Sequence, residues 1–218
     1  MNRMRVAVLI SGRGSNMKAL IDAAKDDAYP ARIVLVVSNV PAAGGLAVAA
    51  AAGVPTLTID RKSFGKGDSG KHAFEKALSA ALKAAGAELV CLAGFMRLLS
   101  AGFVAEWQGR LINIHPSLLP AFKGLDVHAE MLRAGVKIAG CTVHYVSAEM
   151  DAGPIIGQAA VPVLSGDTPD SLAARILEQE HRLYKECVRL IAAGKAHLRA
   201  DGIVELAGDT ATGALRNP

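Results

Sequence analysis

The sequence predicts an α/β fold, a doubly wound and mostly parallel sheet with flanking helices. Three observations predict it. Short runs rich in β-branched residues alternate with helical patterns along the first half of the chain. Those runs are almost continuously apolar, as strands covered on both faces are. The alternation itself implies crossover connections and parallel strands.

The first run is Val6–Ile10, and a glycine-bearing turn follows it at once. Ile33–Val37, Thr56–Ile59 and Glu88–Ala93 are the next three. Between the third and the fourth, Phe74, Ala77, Leu78, Ala81, Leu82 and Ala85 repeat at helical spacing. Gly86 is placed to stop that helix. Leu111–Ile114 reads as a fifth strand, followed by a loop from His115 to Gly124 with two prolines. Thr142–Val146 and Ile155–Val163 read as two more strands, and Asp151-Ala152-Gly153-Pro154 is the turn between them. A long helix then starts with Thr168 as N-cap and Pro169 in its first position. Its core face is Leu172, Ile176, Leu183, Cys187 and Leu190, and Gly194 ends it. From Thr210 on, the sequence reads as a frayed tail.

Composition narrows the function classes. Hydrophobic residues make up 51% of the 218 residues and aromatics only 4%, so the core rests on close helix–sheet contacts rather than large rings. The net charge is +4 and no basic run is present, which favours a small anionic ligand over nucleic acid. Cys91, Cys141 and Cys187 lie far apart in apolar stretches, without metal-ligand spacing. They read as reduced core residues of a cytoplasmic protein. His72, His128, His181 and His197 also lack partners at ligand spacing, so no metal site is expected. The run after Arg5 is too short for a signal peptide. Ala42–Val54 is too short to span a bilayer, which needs about 20 apolar residues.

Three segments carry candidate chemistry. Ser11-Gly12-Arg13-Gly14-Ser15-Asn16 follows the first strand and opens a helix. Backbone N–H groups at such a turn, with the helix dipole behind them, suit a phosphate. The turn is not a dinucleotide fingerprint, because Met17 stands at the third glycine position, and no Gly-Lys-Ser/Thr makes it a Walker loop. The plain alternative is a strand-to-helix turn capped by Ser15. In Asn113-Ile114-His115-Pro116, strand alternation puts Asn113 and His115 on one side, and Pro116 keeps His115 extended. An amide beside an imidazole can stabilise an oxyanion and move a proton. Taken alone, His115 reads more readily as structural. The third segment, Glu149 to Pro154, offers Asp151, either a solvated turn carboxylate or a partner that orients His115. Thr142 and His144 sit two residues apart on one strand as candidate helpers; the simpler reading of His144 is a half-buried strand histidine.

Together, SGRGSN, LAGFMRLLS, NIHPSLLPAFKG and EMDAGPII followed by Gln158 resemble the folate-dependent formyltransferases, and among them the phosphoribosylglycinamide formyltransferase (glycinamide ribonucleotide transformylase) branch. The resemblance runs from about Arg5 to about residue 206. It implies the formyltransferase fold with a Rossmann-like N-terminal half. It implies one domain over 1–218, with a ribonucleotide-phosphate half to about 100, a catalytic and folate half from 101 to 206, and a tail over 207–218. The activity implied is formyl transfer from 10-formyltetrahydrofolate, a co-substrate rather than a resident cofactor, to 5-phosphoribosylglycinamide in purine biosynthesis. Asn113, His115 and Asp151 match the family's catalytic trio, and Gly14, Ser15 and Asn16 its phosphate loop. Met96, Arg97, Leu98 and Leu99 match a segment lining the folate pocket, joined by Lys71 as a basic residue before the third helix. Ser147, Ala148, Glu149, Met150 and Asp151 match a loop over the pterin, and Glu180 a residue near the acceptor's ribose. Thr142 replaces a serine of some relatives, and Leu177 stands where some carry a polar residue. A homodimer is compatible with the family, and no nucleic-acid or membrane partner is implied. The alternatives are formyltetrahydrofolate hydrolase, which normally carries an extra N-terminal domain, another folate-dependent formyltransferase, or a catalytically silent nucleotide-binding module.

Overall fold

A computed structural model describes residues 3–208; the expected tail from Thr210 lies outside the described residues. The chain divides into two compact units, the first ending at Asn113 and the second beginning at Ile114.

The first unit is built on parallel strands, the last of which runs on into the second unit. β1 (Met4–Ile10), β2 (Ala31–Ser38), β3 (Thr56–Thr58), β4 (Leu89–Leu92) and β5 (Leu111–His115) run in the order β3-β2-β1-β4-β5. β1 pairs in parallel with both β2 and β4, and Val6 to Ile10 are fully buried. This is what an uninterrupted apolar run requires: covered faces on both sides. The helices are α1 (Ser15–Ala24), α2 (Gly44–Ala51), α3 (Gly67–Ala84) and α4 (Ala101–Glu106), with a 3-10 turn over Arg61–Phe64. α3 buries Phe74, Leu78 and Leu82, one row at i, i+4 and i+8, as the periodicity predicts. Each such side chain removed from water contributes about 1.5–3 kcal/mol. α2 and α4 have no counterpart in the sequence reading. α2 is so uniformly small and apolar that no face stands out, and α4 has only six residues.

The strand order reverses direction between β1 and β4. A crevice at the carboxyl ends of the strands on either side of such a switch point is where open α/β sheets receive ligands. Ser11 occupies it: its N–H donates to Gly94 O at 3.1 Å, and its hydroxyl donates to Asn39 Oδ1 at 2.6 Å and accepts from the Met96 N–H at 2.8 Å. One short side chain thus ties together the segments that leave β1, β2 and β4.

The second unit centres on the antiparallel pair β6 (Ile138–Tyr145) and β7 (Ile155–Pro162), with α5 (Val127–Ala134) and the long α6 (Pro169–Ala192). Thr168 caps α6 by accepting from the Ser171 N–H, and the Ser171 hydroxyl accepts from the Thr168 N–H. Two orphan donors at the helix start are satisfied in this way, with Pro169 following the cap as expected. The buried face of α6 is Leu172, Ile176, Glu180, Tyr184, Cys187 and Val188. Leu183 and Leu190 are only partly buried, so the expected stripe rotates towards Tyr184 in the second half of the helix. Val127, Met131, Ala139, Cys141, Val161, Leu172 and Ile176 form this unit's core. α5 also went unread, because both its caps are left-handed residues, Asp126 and Gly135, without a side-chain cap bond. A small hairpin of β8 (Ala196–Leu198) and β9 (Val204–Leu206) follows α6.

Candidate functional site

The imidazole of His115 and the carboxylate of Asp151, 36 positions apart in sequence, meet in the second unit. His115 ends β5, and its Nδ1 lies 3.4 Å from Asp151 Oδ2. Its Nε2 lies 2.8 Å from Phe122 O. Each ring nitrogen thus has an oxygen beside it, a carboxylate on one side and a backbone carbonyl on the other. His115 is buried and the Asp151 side chain nearly so, so their attraction is screened far less than a surface pair's.

Local backbone constraints hold this pair. Asp151 has φ 48°, the left-handed region, which Asp tolerates better than most residues. Its Oδ2 also accepts from the Gly124 N–H at 3.0 Å. Gly153 passes so close to β6 that a Cβ there would lie 1.8 Å from Tyr145 O. The glycine of the Asp-Ala-Gly-Pro turn is therefore required by close approach, and the turn carries Asp151 with it. Phe122, whose carbonyl holds His115, has φ 55°, unusual for an aromatic residue. Strain of this kind costs about 1–3 kcal/mol, and the surrounding bonds must impose it.

A second imidazole approaches the same carboxylate. His144 Nε2 lies 3.8 Å from Asp151 Oδ1, and its Nδ1 lies 2.9 Å from Tyr145 O. His144 is fully buried rather than half-buried, because β6 is covered along its length. Burial pushes its pKa below the ordinary value; the Tyr145 carbonyl and Asp151 push back, and the charge of His115 lowers it further. His128 on α5 is lowered the same way, by burial and then by His115. Asn113 stands two residues before His115 on β5, the spacing that returns a strand's side chains to one face.

The Gly-rich turn in the first unit is made of backbone. Gly14, at φ 73°, is the N-cap of α1 and makes no side-chain cap bond. Ser15 is therefore the first helical residue and not the cap; its side chain is exposed, as are Gly12 and Arg13. A Cβ on Gly14 would lie 3.0 Å from Met17 Cε and 3.1 Å from Gly45 Cα. The Gly45 N–H donates to Gly12 O at 3.0 Å, so the start of α2 buttresses the turn. Asn16 is buried in the first turn of α1.

A formyl transferase family model matches residues 4–188. The chain belongs to the formyl transferase family. It is 43% identical over 192 residues to a phosphoribosylglycinamide formyltransferase of Escherichia coli, covering 88% of this chain and 89% of that protein. It is 48% identical to a trifunctional purine biosynthetic protein of Gallus gallus, which matches 92% of this chain; the chain spans 20% of that protein's length. Among solved structures, a phosphoribosylglycinamide formyltransferase from Anaplasma phagocytophilum superposes with a TM-score of 0.87 at 48% identity, covering 96% of this chain and 97% of that one. The α/β formyltransferase fold is thereby established.

The remaining expected residues fall in varied settings. Met96, Arg97 and Leu98 are exposed on the segment after β4, and Leu99 is buried. Ala148, Glu149 and Met150 are exposed on the loop after β6, where the Ser147 hydroxyl donates to Glu149 O. Lys71 lies inside α3 and not before it, because that helix begins at Gly67. Glu180 is buried in α6. Its charge adds to burial in pushing the Cys141 thiol up to about 12, so that cysteine stays protonated at neutral pH. All three cysteines are buried. Among the described residues, no group of three or more His, Cys, Asp or Glu is arranged to hold a metal, and no helix is long and apolar enough to cross a membrane. The sequence reading missed Ser11 and Asn39 as a pair. The only available signal was two short polar residues standing directly after apolar strands.

Proposed function

We propose that this protein transfers the formyl group of 10-formyltetrahydrofolate to the amine of 5-phosphoribosylglycinamide, yielding formylglycinamide ribonucleotide and tetrahydrofolate in purine biosynthesis. The whole chain serves as one formyltransferase domain on this reading. Gly14, Ser15 and Asn16 hold the phosphate, and Glu180 meets the ribose. Lys71, Met96 to Leu99 and Ser147 to Asp151 contribute to the folate site.

The observation that carries the reading is the buried His115–Asp151 pair, held by strained backbone at the end of a strand. The amine nitrogen attacks the formyl carbon, and the carbonyl pair moves onto oxygen. Asn113 donates to that oxygen; one such donor is commonly worth about 3–4 kcal/mol of barrier. Protonated His115 is the second donor. In the free protein its Nε2 faces Phe122 O. It must exchange that neutral carbonyl for the oxyanion, and charge-assisted bonds, being stronger, favour the exchange. Asp151 orients His115 and, through water, passes the amine proton to the departing folate nitrogen as the old C–N bond breaks. Thr142 and His144 support the pair from β6. Holding both substrates in reacting geometry supplies much of the remaining acceleration.

The test follows folate deformylation spectroscopically, with and without glycinamide ribonucleotide. The expected result is turnover only with the acceptor, one tetrahydrofolate per formylated product. Free formate without acceptor would assign a hydrolase instead. Calorimetric nucleotide binding without any turnover would leave a silent binding module.

A further inference from the structure

We infer that Gln158 is a positioning residue for the reaction: from β7, with Thr142 as relay, it sets the loop that holds His115 and Asp151. The inference rests on the formyl-transfer reading above.

Thr142 and Gln158 are cross-strand partners in the β6–β7 register. The Gln158 amide donates to Leu119 O at 2.9 Å and to Thr142 Oγ1 at 3.0 Å. The Leu119 N–H donates to the same Thr142 oxygen at 3.0 Å, and the Thr142 hydroxyl donates to Ser117 O at 2.7 Å. The donor count closes. A hydroxyl has one hydrogen and two lone pairs, and all three are used; the amide has two N–H groups, and both are used. The Ser117 hydroxyl extends the network by donating to Ala121 O at 2.7 Å.

What this network grips is backbone, over Ser117 to Ala121. The very next residues hold the reacting pair: Phe122 O faces His115 Nε2, and the Gly124 N–H donates to Asp151 Oδ2. With the loop gripped at its start, these two groups inherit its position. Without the Gln158 amide, Leu119 O loses a donor and Thr142 loses one of its two acceptances, so the loop can drift by fractions of an ångström. Gln158 itself is exposed, so replacing it leaves no core cavity. The loss should therefore fall on rate more than on stability. Misplacement of about 1 Å remote from the chemistry can cost about a hundredfold.

The experiment compares Gln158→Met, similar in length but without amide hydrogens, with Thr142→Ser, which keeps the hydroxyl, and Thr142→Val, which does not. Steady-state kinetics on both substrates, a pH profile of kcat and a thermal melt are recorded for each. Gln158→Met should lower kcat about tenfold or more, with KM for both substrates within about twofold and a displaced pH profile. Thr142→Ser, which keeps the hydroxyl, should lose less kcat than Thr142→Val, which does not. The double variant Gln158→Met with Thr142→Val should lose little beyond the larger single effect, because both act through one loop. Should Gln158→Met fail to fold, Gln158→Glu, which also lacks the amide donors, carries the same comparison. Wild-type kcat and pH profile in a folded Gln158 variant, whatever its melting temperature, would overturn the inference. A wild-type protein that transfers no formyl group would remove both this inference and the function it rests on. An active wild type with an unaffected Gln158 variant removes this one alone.

Discussion

The Gly-rich turn of the first unit and the His115–Asp151 cluster of the second solve different problems with different materials. The turn is built of backbone: a left-handed cap, exposed neighbours and a glycine-to-glycine contact with α2. On the proposed reading, holding a phosphate there needs only N–H groups and a helix start, which six consecutive residues supply. The cluster is built of buried side chains from β5, β6 and the loop between β6 and β7, and it depends on Phe122, Gly124 and Gly153 to hold its geometry. A backbone site tolerates exposure and changes of neighbouring side chain. A side-chain site in low dielectric gains strength from burial but fails when one member is removed.

Substitutions can break this contrast, and the largest effects belong to the cluster. Asp151→Asn should reduce kcat by about a hundredfold or more, the upper part of the range for positioned proton transfer, while calorimetry shows ribonucleotide affinity little changed. Wild-type turnover in that variant would remove its assigned role. Asn113→Ala should follow, with about 3 kcal/mol lost from transition-state stabilisation and kcat, not acceptor KM, carrying the loss. An effect on acceptor affinity alone would argue against oxyanion stabilisation.

The turn should respond differently. Gly14→Ala forces a Cβ into the left-handed region and against Met17 and Gly45, at about 1–2 kcal/mol. Weaker ribonucleotide binding with nearly normal kcat at saturation is the expected result. A collapse of kcat with unchanged affinity would erase the distinction between the two regions.

The smallest effect is a dependence on pH. The buried His144 has its pKa lowered from 6.5, so between that value and its folded value the unfolded chain binds more protons than the folded one. Stability therefore falls as pH drops below 6.5 and levels off once the folded ring is itself protonated. His144→Gln should flatten this part of a denaturation profile recorded from pH 7.5 to 5. His128, shifted in the same direction, leaves a residual slope. An unchanged slope in the variant would mean that His144 is not the group responsible.

Parallel strands, the α3 stripe and the Thr168 cap of α6 were legible in the sequence because each depends on residues close along the chain. Apolar runs, a row at i and i+4, and a hydroxyl before Pro169 act locally, and the structure places all three where they were expected. The Gly-rich turn was legible for the same reason, apart from the identity of its cap. α2, α4 and α5 were not, since their residues carry no periodic or capping signal strong enough to stand out. The tertiary structure alone decided that Asp151 meets His115, that His144 joins them from a buried strand, and that Gln158 closes a network on the loop between. Hydrogen bonds of that kind are set by register and by close backbone approach, as at Gly153 against Tyr145. Spacing along a chain carries no record of them, because folding closes each loop for the sum of its contacts and not for any one pair.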